Sequence, residues 1–490
     1  MNSKSASIVL VTGRFNVLHP GHIRLFQFAR GCGEHLLVAV ESDNLAGASA
    51  HVPEELRLES LRSCTLVDDA FVFNEPLIEL ITRLQPKVVV KGREYEQKFN
   101  PEAEAVASYG GTLMFSSGEV QFSSTDLLRQ ELSAASKAAF SLPTPFFDRH
   151  AISLERLRNL VTSFSKLRVL TLGDLVIDDY INCEPLGMSQ EDPTLVVSPI
   201  DRRRFIGGAG IVAAHAAGLG ATSSFVSVVG MDSANTFAAQ ALDRANVDAC
   251  LLEDASRPTT VKERYRSHGK TLLRVSYLHQ SSVSIDLQAR IVEQTSQLLE
   301  KTDLLIFSDF NYGVLPQAVV HKVIMLAKKR GVMIAADSQS SSQLGDIARF
   351  KDVDLLLPTE REARVATQNR EDGLVVLAEQ LRQKSNAKFI LLKMGEDGVL
   401  IHAPSDAADG WLTDQVEALN KFPKDVAGAG DSMLVSSALM LAAGGSIWEA
   451  ACVGSMAAAV QVGRVGNVPL ETRELDACLL SWATLGRRRS

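Results

Sequence analysis

Two short segments carry residue types that can handle phosphate. The first is Thr12-Gly-Arg-Phe-Asn-Val-Leu-His-Pro-Gly-His22, which follows a short apolar run. Gly13 permits a tight turn and close backbone approach. Pro20 suits the first turn of a helix, where its missing amide hydrogen costs nothing. His19 and His22 are three residues apart, so both imidazoles can serve one helix N-terminus. Free amides and the helix dipole make that end attractive to anions. Two imidazole donors there can stabilise charge growing on a phosphate in the transition state. The second segment is Asp425-Val-Ala-Gly-Ala-Gly-Asp431, just before an apolar helix predicted over residues 432–443. Glycines ahead of a helix let its amides close on an anion, so Gly428, Ala429 and Gly430 form a candidate anion hole. Asp431, in the first turn, can take a proton from an attacking hydroxyl. Phosphoryl transfer needs little beyond such positioning, a metal and charge stabilisation. Taken alone, each segment also has a plainer reading: loop histidines in one, a capping carboxylate in the other. Zinc fits poorly, because His-x-x-His lacks the i, i+4 spacing and no third ligand is near.

The elements around the first segment alternate. Strand-like runs at residues 8–11, 36–40, 70–73, 88–90 and 112–115 are separated by helical patterns at 23–30, 54–63 and 76–84. Short apolar strands divided by helices of about ten residues imply a parallel sheet covered on both faces. The pattern lapses over residues 134–148, where Pro143 and Pro145 interrupt any helix from upstream. A helix at 152–165 and a strand at 167–172 then open a second series. The expected division is a domain at residues 1–136, a linker at 137–150 and a larger domain at 151–490. The fold class is α/β, two doubly wound parallel-sheet domains, the second with an appended lid.

Composition narrows the function. The 490 residues are 46% hydrophobic and 22% charged, with a net charge of −8. An acidic balance argues against a general nucleic-acid binder. Apolar runs fall short of the roughly 18 residues a membrane span needs. The first residues lack an apolar leader with a cleavage site. The six cysteines are scattered, with no Cys-x-x-Cys pair. A cytoplasmic enzyme of small molecules, without a membrane or nucleic-acid partner, is the expectation.

The first segment, strand then Gly-x-Phe then His-x-Gly-His at a helix start, resembles the signature of the cytidylyltransferase-like nucleotidyltransferases. Further matches follow in order: Val38-Ala-Val-Glu-Ser-Asp43, Arg57 after Pro53, Val88-Val-Val-Lys-Gly-Arg93, and Phe122-Ser-Ser-Thr-Asp-Leu-Leu-Arg129. The resemblance implies a Rossmann-like fold with His19 and His22 as catalytic residues. It implies nucleotide contacts from Thr12, Gly13, Phe15, Arg57, Lys91, Gly92, Ser123, Ser124, Thr125 and Arg129. Asn16 stands where the family usually has Asp.

Residues of about 150–470 resemble the ribokinase/PfkB sugar kinases. The matches are Gly428–Asp431, Phe205-Ile-Gly-Gly-Ala-Gly210, Gly173-Asp174, Asp178-Asp-Tyr180, Pro258-Thr-Thr-Val-Lys-Glu-Arg264, Ser308-Asp309-Phe310 and Ala336-Asp337. A ribokinase-like fold with a small β lid is implied. So are Asp431 as base, a sugar site from Asp174, Asp178, Gly207, Gly208, Lys262 and Arg264, and Glu362 toward magnesium. Together the halves resemble the bifunctional enzyme of ADP-heptose synthesis with its domain order reversed. That resemblance implies ATP as substrate, with CTP an alternative for the transferase, Mg2+ as cofactor and a homodimer through the kinase domain. The kinase half departs at Ile211, Thr359, Ser338-Gln339, Tyr312 and Lys393, where relatives show Asn, Asn, Pro-Lys, Lys and Ser or Thr. These departures keep two alternatives open: the same chemistries on another sugar, or one domain as a non-catalytic nucleotide-binding module.

Overall fold

The computed structural model describes residues 8–18, 20–47, 50–92, 100–116, 143–189, 191–267, 270–339, 345–405 and 410–486. The chain falls into two compact units, Met1–Lys137 and Ala138–Ser490. In the first, β1 (Ile8–Gly13), β2 (His35–Glu41), β3 (Asp69–Phe73), β4 (Val88–Gly92) and β5 (Thr112–Ser116) form one sheet in the order β3-β2-β1-β4-β5. Every described pairing in it is parallel. Val9, Leu10 and Val11 of β1 and Val89 and Val90 of β4 are buried, as continuous apolar strands must be when helices cover both faces. The chain runs outward through β2 and β3, then returns to the other side of β1. The crevice at the carboxyl ends of β1 and β4 is therefore the topological switch point, where ligands of such sheets bind. Gly13 and Gly92 close those two strands.

The second unit holds β6 (Arg168–Gly173), β7 (Leu175–Met188), β8 (Leu195–Gly208), β9 (Thr222–Val229), β10 (Val247–Glu253), β11 (Val261–Ser267), β12 (Lys270–Tyr277), β13 (Leu304–Asp309), β14 (Met333–Ser338), β15 (Leu355–Leu356), β16 (Phe389–Lys393), β17 (Val399–Pro404) and β18 (Trp411–Val416). Nine of these strands form one sheet, β10-β9-β6-β13-β14-β15-β16-β17-β18, and four form a second, β12-β11-β7-β8. The large sheet is parallel up to β16 and antiparallel at β17 and β18. Its switch point falls between β6 and β13. The small sheet leaves from the end of β6, with only Asp174 between β6 and β7. Its position at the carboxyl edge makes it the lid. Helices Ala429–Ala442 and Ile447–Val462 are apolar nearly all round and buried, which fits a core position.

Residues 143–150 are not a loose linker. Helix Thr144–Arg149 starts there, with Pro143 at its N-cap and Pro145 in its first turn. A proline in the first turn gives up no hydrogen bond, so the prolines that bar a helix from upstream can open a new one. Phe146 and Phe147 are buried in the core of the second unit, and the Phe147 ring meets Trp482 edge-on at 5.7 Å.

Candidate active site

In the kinase-like unit, helix Ala429–Ala442 begins at Gly428, whose φ is +76°. No side chain caps this end, and the Ala429 amide donates weakly to the Val426 carbonyl at 3.4 Å. A Cβ on Gly428 would lie 2.4 Å from Asn467 Oδ1, so both backbone angle and space call for glycine. Asp431 is buried in the first turn. Burial first, and the Asp337 carboxylate next, push its carboxyl up to about 7, while Lys393 pulls the other way. Gln339 Nε2 stands 3.5 Å from Asp431 Oδ1.

Strand ends of the large sheet bring Asp337 of β14 and Lys393 of β16 to the same place, with Lys393 Nζ 2.6 Å from Asp337 Oδ2. Asp337 Oδ1 is buried and has no hydrogen-bond partner among the described residues. Burial, reinforced by Glu362, pushes Asp337 up to about 6 against the pull of Lys393. Burial opposes the charge on Lys393, but Asp337 and Glu362 more than offset it and hold the ammonium above the usual lysine range. Glu362 is buried too, and its Oε2 accepts the Thr359 amide at 2.7 Å in a capping box that starts helix Glu360–Thr367. A cavity of about 1060 Å³ opens beside Lys393, lined in part by Thr359, Arg361, Arg364, Arg370 and Met394.

The lid contributes a second layer. Asp178 of β7 sits opposite Lys262 of β11 and Phe205 of β8. Asp178 Oδ1 accepts from Arg264 at 3.0 Å, and its Oδ2 accepts from Asn467 at 3.0 Å. A Cβ on Gly207 would meet Asp178 Oδ2 at 2.4 Å, so glycine there makes room for the carboxylate. Tyr180 donates to Asp425 Oδ2 at 3.0 Å, tying the lid to the loop that precedes the anion hole. Lys262 is buried with Nζ 5.1 Å from the Phe310 ring centre and 5.2 Å from that of Tyr312, close enough for cation–π attraction.

The expected sugar residues thus divide. Asp178, Gly207, Lys262 and Arg264 cluster under the lid. Asp174 does not present a free carboxylate: it accepts backbone amides of Phe310, Tyr312 and Val314 at 2.8, 3.3 and 3.2 Å, and so shapes the loop after β13. Gly208, at φ +59°, is the N-cap of helix Ala209–Gly218. Ile211 in that helix is fully buried among Leu175, Ile206 and Phe225. Asn467 carries no motif in the sequence, yet it donates to Asp178 and lies against the Gly428 turn. Its partner lies 289 residues away, so no local pattern could point to it.

In the first unit, Gly13 ends β1 and helix Pro20–Arg30 follows, so the glycine turn and helix start fall where the motif requires. His22 meets Phe15 edge-on at 5.1 Å, with Phe15 held at φ +49°. Arg57 is fully buried, and its guanidinium is spent on the protein. It donates to the carbonyls of Val52, Arg14 and Glu41 at 2.8, 2.7 and 2.9 Å and also pairs with Asp43. It therefore fixes the turn after β1 and leaves little for a nucleotide. Lys91 pairs with Glu102 and donates to Asn100 at 2.9 Å. Asn16 Oδ1 accepts the His51 amide at 3.0 Å, which orders that loop. Thr12 and Gly92 lie at the strand ends that face the crevice. His19, Ser123, Ser124, Thr125 and Arg129 lie outside the described residues.

A lidded, nine-stranded α/β sheet with a buried aspartate at a glycine-started helix defines a ribokinase-like phosphotransferase, preceded here by a Rossmann-like unit. The model of the pfkB family carbohydrate kinases matches residues 166–473, and the cytidylyltransferase-like model matches residues 10–118. The chain belongs to the pfkB family of carbohydrate kinases. It is 33% identical to the bifunctional protein HldE of Bradyrhizobium diazoefficiens over 351 residues, covering 70% of this chain and 67% of that protein. Against the HldE protein of Paramagnetospirillum magneticum it is 29% identical over 333 residues, covering 66% of each. Either alignment is much longer than the first unit, so the kinase unit carries most of the similarity. Among solved structures, phosphofructokinase-2 of Escherichia coli superposes with a TM-score of 0.52 at 18% identity, covering 64% of this chain and 99% of that one. Ribokinase of Arabidopsis thaliana gives 0.50 at 19% identity, covering 64% and 98%. No described helix is long and apolar enough to cross a membrane.

Proposed function

We propose that the chain makes a nucleotide-activated sugar in two steps. The kinase unit transfers the γ-phosphoryl group of ATP to the anomeric hydroxyl of a sugar phosphate. Asp431 accepts the hydroxyl proton, and the first amides of helix Ala429–Ala442, from Gly428 to Gly430, hold the phosphoryl oxygens. The transferase unit then joins the sugar 1-phosphate to a nucleoside triphosphate and releases pyrophosphate. His19 and His22 stabilise charge on the α-phosphate, with Ser123, Ser124, Thr125 and Arg129 toward the triphosphate. The observation that carries the kinase step is Asp431, a buried carboxyl near 7 at an uncapped helix start. A carboxyl in that range exchanges protons readily near neutral pH.

The substrate class follows from the relatives and the lid. Lys262, Arg264 and Asp178 present both charges to a bound polyol phosphate, and the similarity to HldE proteins favours heptose 7-phosphate, giving an ADP-heptose-like product. Two carboxylates can hold magnesium when substrate phosphates complete its shell. Asp337 Oδ1, buried without a partner, and nearby Glu362 suit that role, although no described group of three acidic, histidine or cysteine side chains converges as a closed cage. The metal would neutralise phosphate charge. A different sugar is the second reading. It rests on Ile211, which offers the site no hydrogen bond, and on Tyr312 packed against Lys262. The deciding experiment supplies the full chain with magnesium, ATP or CTP and a panel of sugar phosphates, and identifies products by mass. ADP-heptose formation supports the first reading. Turnover of another sugar with none of heptose 7-phosphate selects the second.

A further inference from the structure

We infer that Lys393 is a catalytic residue of the kinase site, whose ammonium binds the γ-phosphoryl oxygens of ATP at the start of helix Ala429–Ala442. This rests on the kinase reading above and adds a residue that the sequence motifs do not assign. Lys393 ends β16, and its Nζ would lie 3.4 Å from a Cβ placed on Gly430, so it stands against the last residue of the anion-binding turn. An ammonium has three N–H donors. Asp337 Oδ2 takes one at 2.6 Å, and no other acceptor meets Lys393 among the described residues. The side chain is 13% exposed and lines the cavity described above, where phosphate oxygens can take the others. Asp337 Oδ1 lacks a partner as well. A closed structural bridge would use up the ammonium; this one leaves Lys393 donors open beside the start of helix Ala429–Ala442.

Charge points the same way. Asp337, Glu362 and Asp431 put three carboxyl groups around one cation. A triphosphate entering that site needs positive charge within contact distance of the group being transferred. In the reaction the sugar oxygen forms a bond to the γ-phosphorus as the bond to the β–γ bridging oxygen breaks. Asp431 receives the sugar proton, and ADP leaves with the electron pair of the broken bond. Lys393 keeps its proton throughout and accompanies the phosphoryl oxygens from donor to acceptor.

The test compares nucleotides that differ only in the γ-phosphoryl group. In the full chain, Lys393→Met should weaken binding of a non-hydrolysable ATP analogue at least tenfold by calorimetry at fixed magnesium. Its affinity for ADP should stay within about threefold of wild type, and kcat should fall at least about 10²-fold. Because this change leaves Asp337 without its cation, Lys393→Arg keeps the charge and guards against simple misfolding. It should retain the preference for the analogue over ADP to within about threefold of wild type. If Lys393→Met keeps the wild-type preference and only melts at lower temperature, Lys393 is a structural bridge and the inference falls. If wild type binds neither nucleotide, the kinase reading itself falls and takes the inference with it.

Discussion

The two units meet phosphate with opposite strategies. In the kinase-like unit, ionisable side chains are crowded where the strands end, and their protonation is displaced: Asp431 is near 7 and Asp337 near 6, with Lys393 held charged between them. In the first unit the charged groups near the crevice are engaged with the protein. Arg57 is wrapped in three backbone carbonyls and a carboxylate, and Lys91 is paired with Glu102. A group meant to move a proton must sit in an environment that unsettles its charge. A group meant to hold a loop is better fully satisfied. The difference teaches that a charged residue beside a phosphate site is not thereby a ligand; its partners decide.

The contrast is most sharply broken by removing one reactive group at a time. Asp431→Ala should lower ATP-dependent sugar phosphorylation at least about 10²-fold while leaving pyrophosphate release from sugar 1-phosphate intact. His19→Ala should do the reverse. Assays of each half reaction on both variants check this, and loss of both reactions in either variant would mean that the sites do not act separately.

A scaffold residue should fail differently. Arg57→Leu strands the carbonyls of Arg14, Glu41 and Val52 and frees Asp43 from its partner. Breaking such a buried charged network costs roughly 3–5 kcal/mol. Nucleotidyl transfer should then be lost together with a fall in the first unit's melting temperature, while kinase activity persists. A well-folded Arg57→Leu protein with only a raised KM for nucleotide would show Arg57 to be a ligand after all.

The smallest effect is the most specific. Asp431 must be ionised to accept a proton, and its carboxyl is raised to about 7. Kinase kcat/KM should therefore rise with pH, close to tenfold per unit below about 7, and level off above it. Initial rates at sugar phosphate concentrations well below KM, from pH 5.5 to 8.5, test this. A profile already flat at pH 5.5 would place the base elsewhere. Lys393→Met removes a cation that favours ionised Asp431, so whatever activity remains should have its acidic limb moved to higher pH.

Much of the scaffold was legible in residue order. Gly13 before Pro20 and Gly428 before Asp431 are local signals: a glycine where a side chain would crowd its neighbours, then a helix start, then a reactive side chain at fixed spacing. The alternation of short apolar strands with helices likewise pointed to parallel sheets, as the order β3-β2-β1-β4-β5 bears out. The prolines after residue 142 were legible as an interruption but not as the start of helix Thr144–Arg149, because only burial of Phe146 and Phe147 stabilises so short a helix.

What sequence alone determined, then, was the kind of chemistry and the turns that carry it, since these depend on backbone angles and contacts within a few residues. Tertiary structure alone decided which side chains share the site. Lys393 reaches Asp337 across 56 residues, and Asn467 reaches Asp178 across 289. It also decided that Asp174 and Arg57 are spent on backbone groups rather than facing a ligand. Those assignments follow from strand order and burial, which bring distant residues together and set the charge each can hold.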